Sequence, residues 1–232
     1  MANVMSYKIF EKTNTCKCGV SIYDDQQLCE HCESIAKELA RVKNISQHLK
    51  DYGVPVRYRN CSFDNIECAT PRQRNIINHY RDNVPHDFLV LLGKSGTCKT
   101  HIAVSVLREV AIKLKCSIMF YGVNKLLSDI KIGFDTDGKI QRCVNNVKYL
   151  VLDDLGAQNI TEWSNSVIYE IINNRYESEL TTIITTNLSK QSILSKFGAR
   201  LYSRLHCGTF INFADKDYRV QNRGKKIAGN KK

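Results

Sequence analysis

The chain has 232 residues, a formal net charge of +11 and 43% hydrophobic residues, enough for one main domain with a real core plus a small appendage. No apolar run approaches the roughly 18 residues of a membrane span, and the first residues lack a signal-peptide layout, so no membrane role is expected and a soluble, intracellular protein is. Ten cysteines in a reducing compartment argue for metal binding or plain burial over disulfides, and the positive charge argues for a polyanionic partner, nucleic acid first.

Residues 1–32 contain Cys16-Lys17-Cys18-Gly19 and Cys29-Glu30-His31-Cys32, a C-x-C-x10-C-x2-C pattern. Two close thiolate pairs joined by a short loop can close a tetrahedral Zn²⁺ site, and Gly19 eases the turn between them. The competing reading is four unlinked buried cysteines, but so small a segment has little core and needs a staple. Residues 33–50 read as an amphipathic helix with Ile35, Leu39, Val42, Ile45 and Leu49 on its apolar face. Gly53 and Pro55 break it, which places a domain boundary near residue 52.

Beyond the boundary, Pro71 at a first helical turn with Thr70 as N-cap predicts a helix to about Arg81, and Cys61 and Cys68 read as buried thiols. Phe88-Leu89-Val90-Leu91-Leu92 then reads as a buried parallel strand. It runs into Gly93-Lys94-Ser95-Gly96-Thr97-Cys98-Lys99-Thr100-His101 and a helical pattern. Strand, Gly-rich loop and helix are the context of a phosphate-binding loop, whose N–H groups wrap an oxyanion at a helix N-terminus. Lys99 would reach the β- and γ-phosphates of ATP, and the Thr100 hydroxyl would hold Mg²⁺. The motif asks for Gly where the chain has Cys98, so a Cβ must fit where the backbone approaches phosphate. A thiol beside Lys99 at a helix N-terminus is also expected to be reactive.

Ser117–Tyr121 reads as a second strand, followed by helix and a solvated acidic turn at Asp135–Gly138. Val147–Leu152 is an apolar run ending in Asp153 and Asp154. At a strand end, Asp153 would hold the Mg²⁺ shell and Asp154 would orient or deprotonate the attacking water. Residues 161–176 form the next helix, and Thr181–Thr186 a strand whose polar end presents Asn187 to the γ-phosphate or the water. Arg200 and Arg204 lie one helical turn apart on a shared face, before a last strand, Phe210–Phe213, and a Lys/Arg-rich tail expected to be disordered.

Taken together, Gly93…Lys99-Thr100-His101, Leu150-Val151-Leu152-Asp153-Asp154-Leu155-Gly156, Arg175-Tyr176, Ile184-Thr185-Thr186-Asn187-Leu188 and Gly198-Ala199-Arg200…Ser203-Arg204-Leu205 resemble the DnaC/DnaI group of AAA+ replicative helicase loaders. They resemble equally the IstB-type helper ATPases of transposition. The similarity spans about residues 55–220. It implies an α/β fold with a five-stranded parallel sheet flanked by helices, and ATP bound at subunit junctions of a homo-oligomeric spiral. It also implies single-stranded DNA inside that spiral and an N-terminal module that grips the replicative helicase. Lys99 and Thr100 match Walker A, Asp153 and Asp154 Walker B, and Asn187 sensor 1. Arg204, with Arg200, matches the box holding the arginine finger, and Arg219 resembles a late sensor-2 arginine. The expected organisation is a zinc head and helix over 1–52, an ATPase domain over 53–220 and a basic tail over 221–232. The expected enzyme is an Mg²⁺-dependent ATPase, with Cys98 weakening its activity. Its expected place is the cytoplasm of a bacterial host, and the short cysteine-rich head suggests a phage or prophage gene.

Overall fold

The computed structural model describes residues 12–23, 26–66, 70–131 and 138–213. The expectations for Cys68, for the acidic stretch Asp135–Asp137, for Arg219 and for the 221–232 tail therefore lie outside the described residues. The chain divides into two compact units, 1–45 and 46–232.

In the first unit, β1 (Lys12–Thr15) and β2 (Ser21–Tyr23) pair as an antiparallel hairpin. Helix α1 (Glu30–Asp51) follows, with Glu30 and Glu33 in its first turn facing the positive end of the helix dipole. The small core here is Cys16, Ile22 and Cys29. Ile35 and Leu39, expected on a buried face, are instead 47% and 57% exposed, whereas Ile45 and Leu49 are buried. The division falls at Ile45, inside α1. Within the second unit, which begins at Ser46, Ser46 accepts from Arg108 and the Tyr52 carbonyl accepts from the Phe120 N–H.

The second unit is built on a parallel sheet of β3 (Leu89–Gly93), β4 (Ile118–Gly122), β5 (Tyr149–Leu155), β6 (Thr181–Thr186) and β7 (Thr209–Phe213), in the order β4-β5-β6-β3-β7. The expected five-stranded parallel α/β sheet is thus present. Side-chain alternation splits its apolar residues between two faces. Val90, Leu92, Leu150, Leu152 and Ile184 pack into one core with α4 (Val123–Lys131), α5 (Lys139–Asn146), α6 (Glu162–Glu177) and α7 (Lys190–His206). The other face is covered by α3 (Lys99–Lys113), against which α2 (Pro71–Asp82) packs. Thr70 caps α2 as expected, accepting from the Gln73 N–H while the Gln73 side chain returns a bond to Thr70, a reciprocal cap worth about 1 kcal/mol.

Central β6 is polar by composition yet buried throughout, so each hydroxyl needs a partner. Thr181 donates to the His86 carbonyl, Thr182 to Leu180, Thr186 to Leu155, and Thr185 to a carboxylate described below. Arg175 is fully buried under this strand, and burial lowers its pKa to about 10. Its guanidinium donates to Thr182 Oγ1 and to the carbonyls of Val144, Val147 and Thr181, which ties α5 and α6 to the sheet. Among the described residues, no helix is long and apolar enough to cross a membrane.

Candidate functional site

The loop after β3 lies at the C-terminal end of the sheet, where open parallel sheets bind ligands. Gly93 has φ +147°, and a Cβ there would sit 2.3 Å from the Phe213 carbonyl oxygen, so only glycine lets β7 close against the loop. Gly96 has φ +80°, and Thr97 donates to the Lys94 carbonyl across the turn. Lys94 and Ser95 are exposed at the apex, while Gly96 and Thr97 are buried. Lys99 is buried and directed into the loop: its Nζ donates to the carbonyls of Gly93 and Lys94 and, at 2.8 Å, to Asn187 Oδ1. The first helical residue and the strand-ending asparagine, far apart in sequence, thus meet in one site.

Thr100 donates to Asp153 Oδ1 at 2.8 Å, and Thr185 donates to the same oxygen at 2.7 Å. Burial raises the pKa of Asp153, while the two hydroxyls pull it back down. A buried carboxylate beside a helix-N-terminal hydroxyl, with a lysine ammonium close by, is a donor set of hard oxygens suited to Mg²⁺. Asp154 is exposed and sits at φ +60°, a conformation that non-glycine residues seldom adopt.

Cys98 occupies the left-handed region at φ +66° as N-cap of α3 and makes no side-chain capping bond. It is disulfide-bonded, which corrects the expectation of a free, reactive thiol and of a chain without disulfides, since a sulfur in such a bond carries no thiolate. The eight other described cysteines are free. His101, in the first turn of α3, contacts the lead-in segment. Its Nε2–H is shared between the Ser62 carbonyl at 3.0 Å and Asn65 Oδ1 at 2.9 Å. Burial lowers the His101 pKa and favours the neutral ring, partly offset by the Ser62 carbonyl. Its observed contacts thus fasten the lead-in segment to α3.

The two arginines differ. Arg200 is exposed. Arg204 is half-buried, its guanidinium over the Tyr176 ring and its Nε donating to Asn173 Oδ1. Both follow Gly198, whose φ of +82° and ψ of 167° break α7 into two segments.

In the first unit, Cys16, Cys18, Cys29 and Cys32 place their sulfurs within 4.8 Å of one another. A tetrahedral zinc with Zn–S near 2.3 Å needs sulfurs roughly 3.8 Å apart, so the cluster fits that ion. Gly19, at φ +90°, donates to the Cys16 carbonyl and closes the tight turn between the first pair. The Cys32 N–H points at Cys29 Sγ. Hydrogen bonds from the backbone of Cys18 and Cys29 lower the Cys16 pKa to about 6, and the neighbouring sulfurs of Cys18, Cys16 and Cys29 push Cys32 up to about 12. His31 is exposed and outside the cluster.

The family of IstB-like ATP binding proteins matches residues 77–225. The chain belongs to this family. It is 26% identical over 206 residues to the replicative helicase loader DnaC of Escherichia coli K12, covering 83% of this chain and 80% of that protein. The crystal structure of the DnaC helicase loader superposes with a TM-score of 0.63 at 27% identity, over 68% of this chain and 99% of that one. The DnaI crystal structure shares the fold, with a TM-score of 0.58 at 21% identity over 71% of this chain and 92% of that one. The resemblance read from the motifs is therefore correct: this is an ATP-binding protein of the AAA+ type.

Sequence reasoning quoted Thr185 and Tyr176 within family motifs without giving either a role in this IstB-like site, and it did not single out the Ser62–Asn65 segment or Asn173. For Thr185 a signal existed. It lies two residues before Asn187, and the period of a strand puts both on one side. For the others the contacts join segments distant in sequence, and no local pattern marks them.

Proposed function

We propose that the chain is an ATP-dependent loader that places a replicative helicase on single-stranded DNA. The observation that carries the reading is the 2.8 Å bond from Thr100 to Asp153, which joins the Walker A hydroxyl and the Walker B carboxylate at one point, where a single Mg²⁺ would need both. The DnaC loader relatives, aligned over 80% of their length, supply the helicase-loading part.

Bound ATP with Mg²⁺ supplies a polarised γ-phosphoryl group for in-line attack by water. The N–H groups of residues 93–100 cradle the phosphates, with His101 anchoring the helix behind them. Lys99 exchanges its loop carbonyls for phosphoryl oxygens, and Asn187 holds its other side. Thr100 and Asp153 would hold the Mg²⁺, which would neutralise charge on the phosphates. Asp154 orients the water and accepts its proton. Arg204, supported by Arg200, reaches a neighbouring subunit's site in a homo-oligomeric spiral, and Arg219 acts as the late sensor arginine. The head, residues 1–52, holds one Zn²⁺ on Cys16, Cys18, Cys29 and Cys32 and grips the helicase. The ATPase domain, 53–220, and the basic tail, 221–232, contact DNA. The protein acts in the cytoplasm of a bacterial cell, encoded by a phage or prophage.

The test has two arms. Tagged protein is recovered from its host and its partners identified by mass spectrometry. Recovery of the replicative helicase supports the loader. Recovery of a transposase supports the transposition helper, the second reading, which the IstB-like family match favours. Binding to single-stranded DNA should weaken by orders of magnitude between roughly 50 and 200 mM salt if several phosphates are contacted. Absence of binding with ATP and the partner present argues for a protein-only adaptor.

A further inference from the structure

We propose that Thr185 is the positioning residue of the hydrolytic centre, one hydroxyl that sets the geometry of both Asp153 and Asp154. The inference rests on the ATPase reading of the site. Strand β6, which carries Thr185, lies between β5 and β3, and so between the strand of the two carboxylates and the strand of the phosphate loop. The pairing of β5 with β6 is regular up to Leu152↔Ile184 and resumes at Leu155↔Thr186. Two residues of β5, Asp153 and Asp154, thus oppose the single residue Thr185. That is a β-bulge, a feature rare in parallel pairs and frequent beside active sites, where it re-aims a side chain.

A bulge leaves backbone groups without their ladder partner. Here the Asp154 N–H finds one in Thr185 Oγ1 at 2.9 Å. The Thr185 hydroxyl has one proton, which it donates to Asp153 Oδ1 at 2.7 Å, so toward Asp154 it can only accept. The two bonds are mutually consistent and use a donor and a lone pair of the same oxygen. One fixes the Asp153 carboxylate alongside the Thr100 hydroxyl. The other holds Asp154 at φ +60°, which turns its side chain out of the sheet to the exposed surface. Thr185 is fully buried and its hydroxyl is bonded to Asp153 and Asp154, so its effect passes through the two aspartates. An isosteric valine keeps the volume and loses both bonds, and serine keeps both bonds and loses a methyl.

The experiment compares wild type, Thr185→Val and Thr185→Ser in three measurements: the exchange rate of the Asp154 amide by NMR, the Mg²⁺ concentration needed for half of the ATP-induced rise in melting temperature, and steady-state turnover. The expected result is a protected Asp154 amide in wild type and Thr185→Ser and a rapidly exchanging one in Thr185→Val. In the valine variant the Mg²⁺ requirement rises and kcat falls, each by roughly 10- to 100-fold, with little change in KM, and serine restores most of both. A merely structural threonine predicts lowered melting temperatures with an unchanged Mg²⁺ requirement, and that result overturns the inference. So does a fast-exchanging Asp154 amide in wild type, a measurement that remains decisive even if Thr185→Val does not fold. Absence of wild-type turnover defeats the ATPase reading instead, and the amide exchange still decides whether Thr185 holds the bulge.

Discussion

Arg204 stacks on Tyr176 of its own chain, the guanidinium carbon 4.9 Å from the ring centroid, while its Nε donates to Asn173 Oδ1 at 3.1 Å. The side chain proposed to act in a neighbour's site is thereby held in its own subunit. The two contacts together are worth roughly 1–2 kcal/mol, little enough for a subunit interface carrying a charged nucleotide to outbid them. Arg204→Ala should leave ATP binding within about twofold and lower turnover by roughly 1,000-fold. Mixing Arg204→Ala with Asp154→Asn subunits should restore part of the rate, because some junctions then pair an intact arginine with an intact carboxylate. Titration of one variant into the other, read by phosphate release, checks this, and a mixture no faster than its components would count against action between subunits.

The cysteine cluster makes a separable prediction. Protein purified without chelators should carry about one zinc per chain. A structural site of this kind contributes on the order of 10 kcal/mol to local folding, far more than the three buried residues of the head's own core. Cys29→Ser, or chelation, should therefore melt residues 12–45 and leave the ATPase unit folded. Metal analysis together with a two-transition melting curve checks it, the low transition disappearing and the high one unmoved.

The sheet and the phosphate loop were legible because their signals are local: unbroken apolar runs, a glycine loop, and paired carboxylates at a strand end. The bulge at Asp153 and Asp154 was not, since nothing in Leu152-Asp153-Asp154-Leu155 says that two residues face one across the ladder. The exposure of Ile35 and Leu39 was equally hidden, because helical periodicity defines an apolar stripe without saying what covers it. Arg175 stands in the sequence only as part of a family motif, and only the tertiary structure supplies the carbonyls that make its burial tolerable.

Gly198 tests how the arginine box is aimed. Its φ of +82° with ψ of 167° lies in a region that is essentially glycine's alone, and a Cβ added there meets nothing within 4 Å. The cost of Gly198→Ala is thus backbone strain without a clash, about 1–3 kcal/mol. For a chain of this size that lowers the melting temperature by roughly 2–12 °C. Relief of the strain by a straighter α7 would swing Arg200 and Arg204 away, so turnover should fall more than stability implies. Calorimetry alongside turnover on the folded fraction separates the two effects.

Cys98 is the residue at which the loop departs from its own motif, and its geometry gives the departure a sign. At φ +66° a side chain costs roughly 1–2 kcal/mol that glycine avoids, and the disulfide holds the loop at the residue just before Lys99. Lys99 must leave the Gly93 and Lys94 carbonyls to reach a phosphate, which requires the loop to yield. Nucleotide binding by the wild type should therefore strengthen when dithiothreitol reduces the disulfide to two thiols. Cys98→Gly should bind more tightly than either form and show no dependence on reductant, and Lys99→Ala should bind in neither condition. The check is calorimetric titration of ATP with Mg²⁺ into all three proteins, with and without dithiothreitol, beside a thiol count that should rise by two on reduction in the wild type and in Lys99→Ala and stay unchanged in Cys98→Gly. If reduced wild type and Lys99→Ala are equally blind to ATP while Cys98→Gly binds it, the natural loop is disabled by its cysteine, and the chain works as a nucleotide-independent adaptor on the same fold.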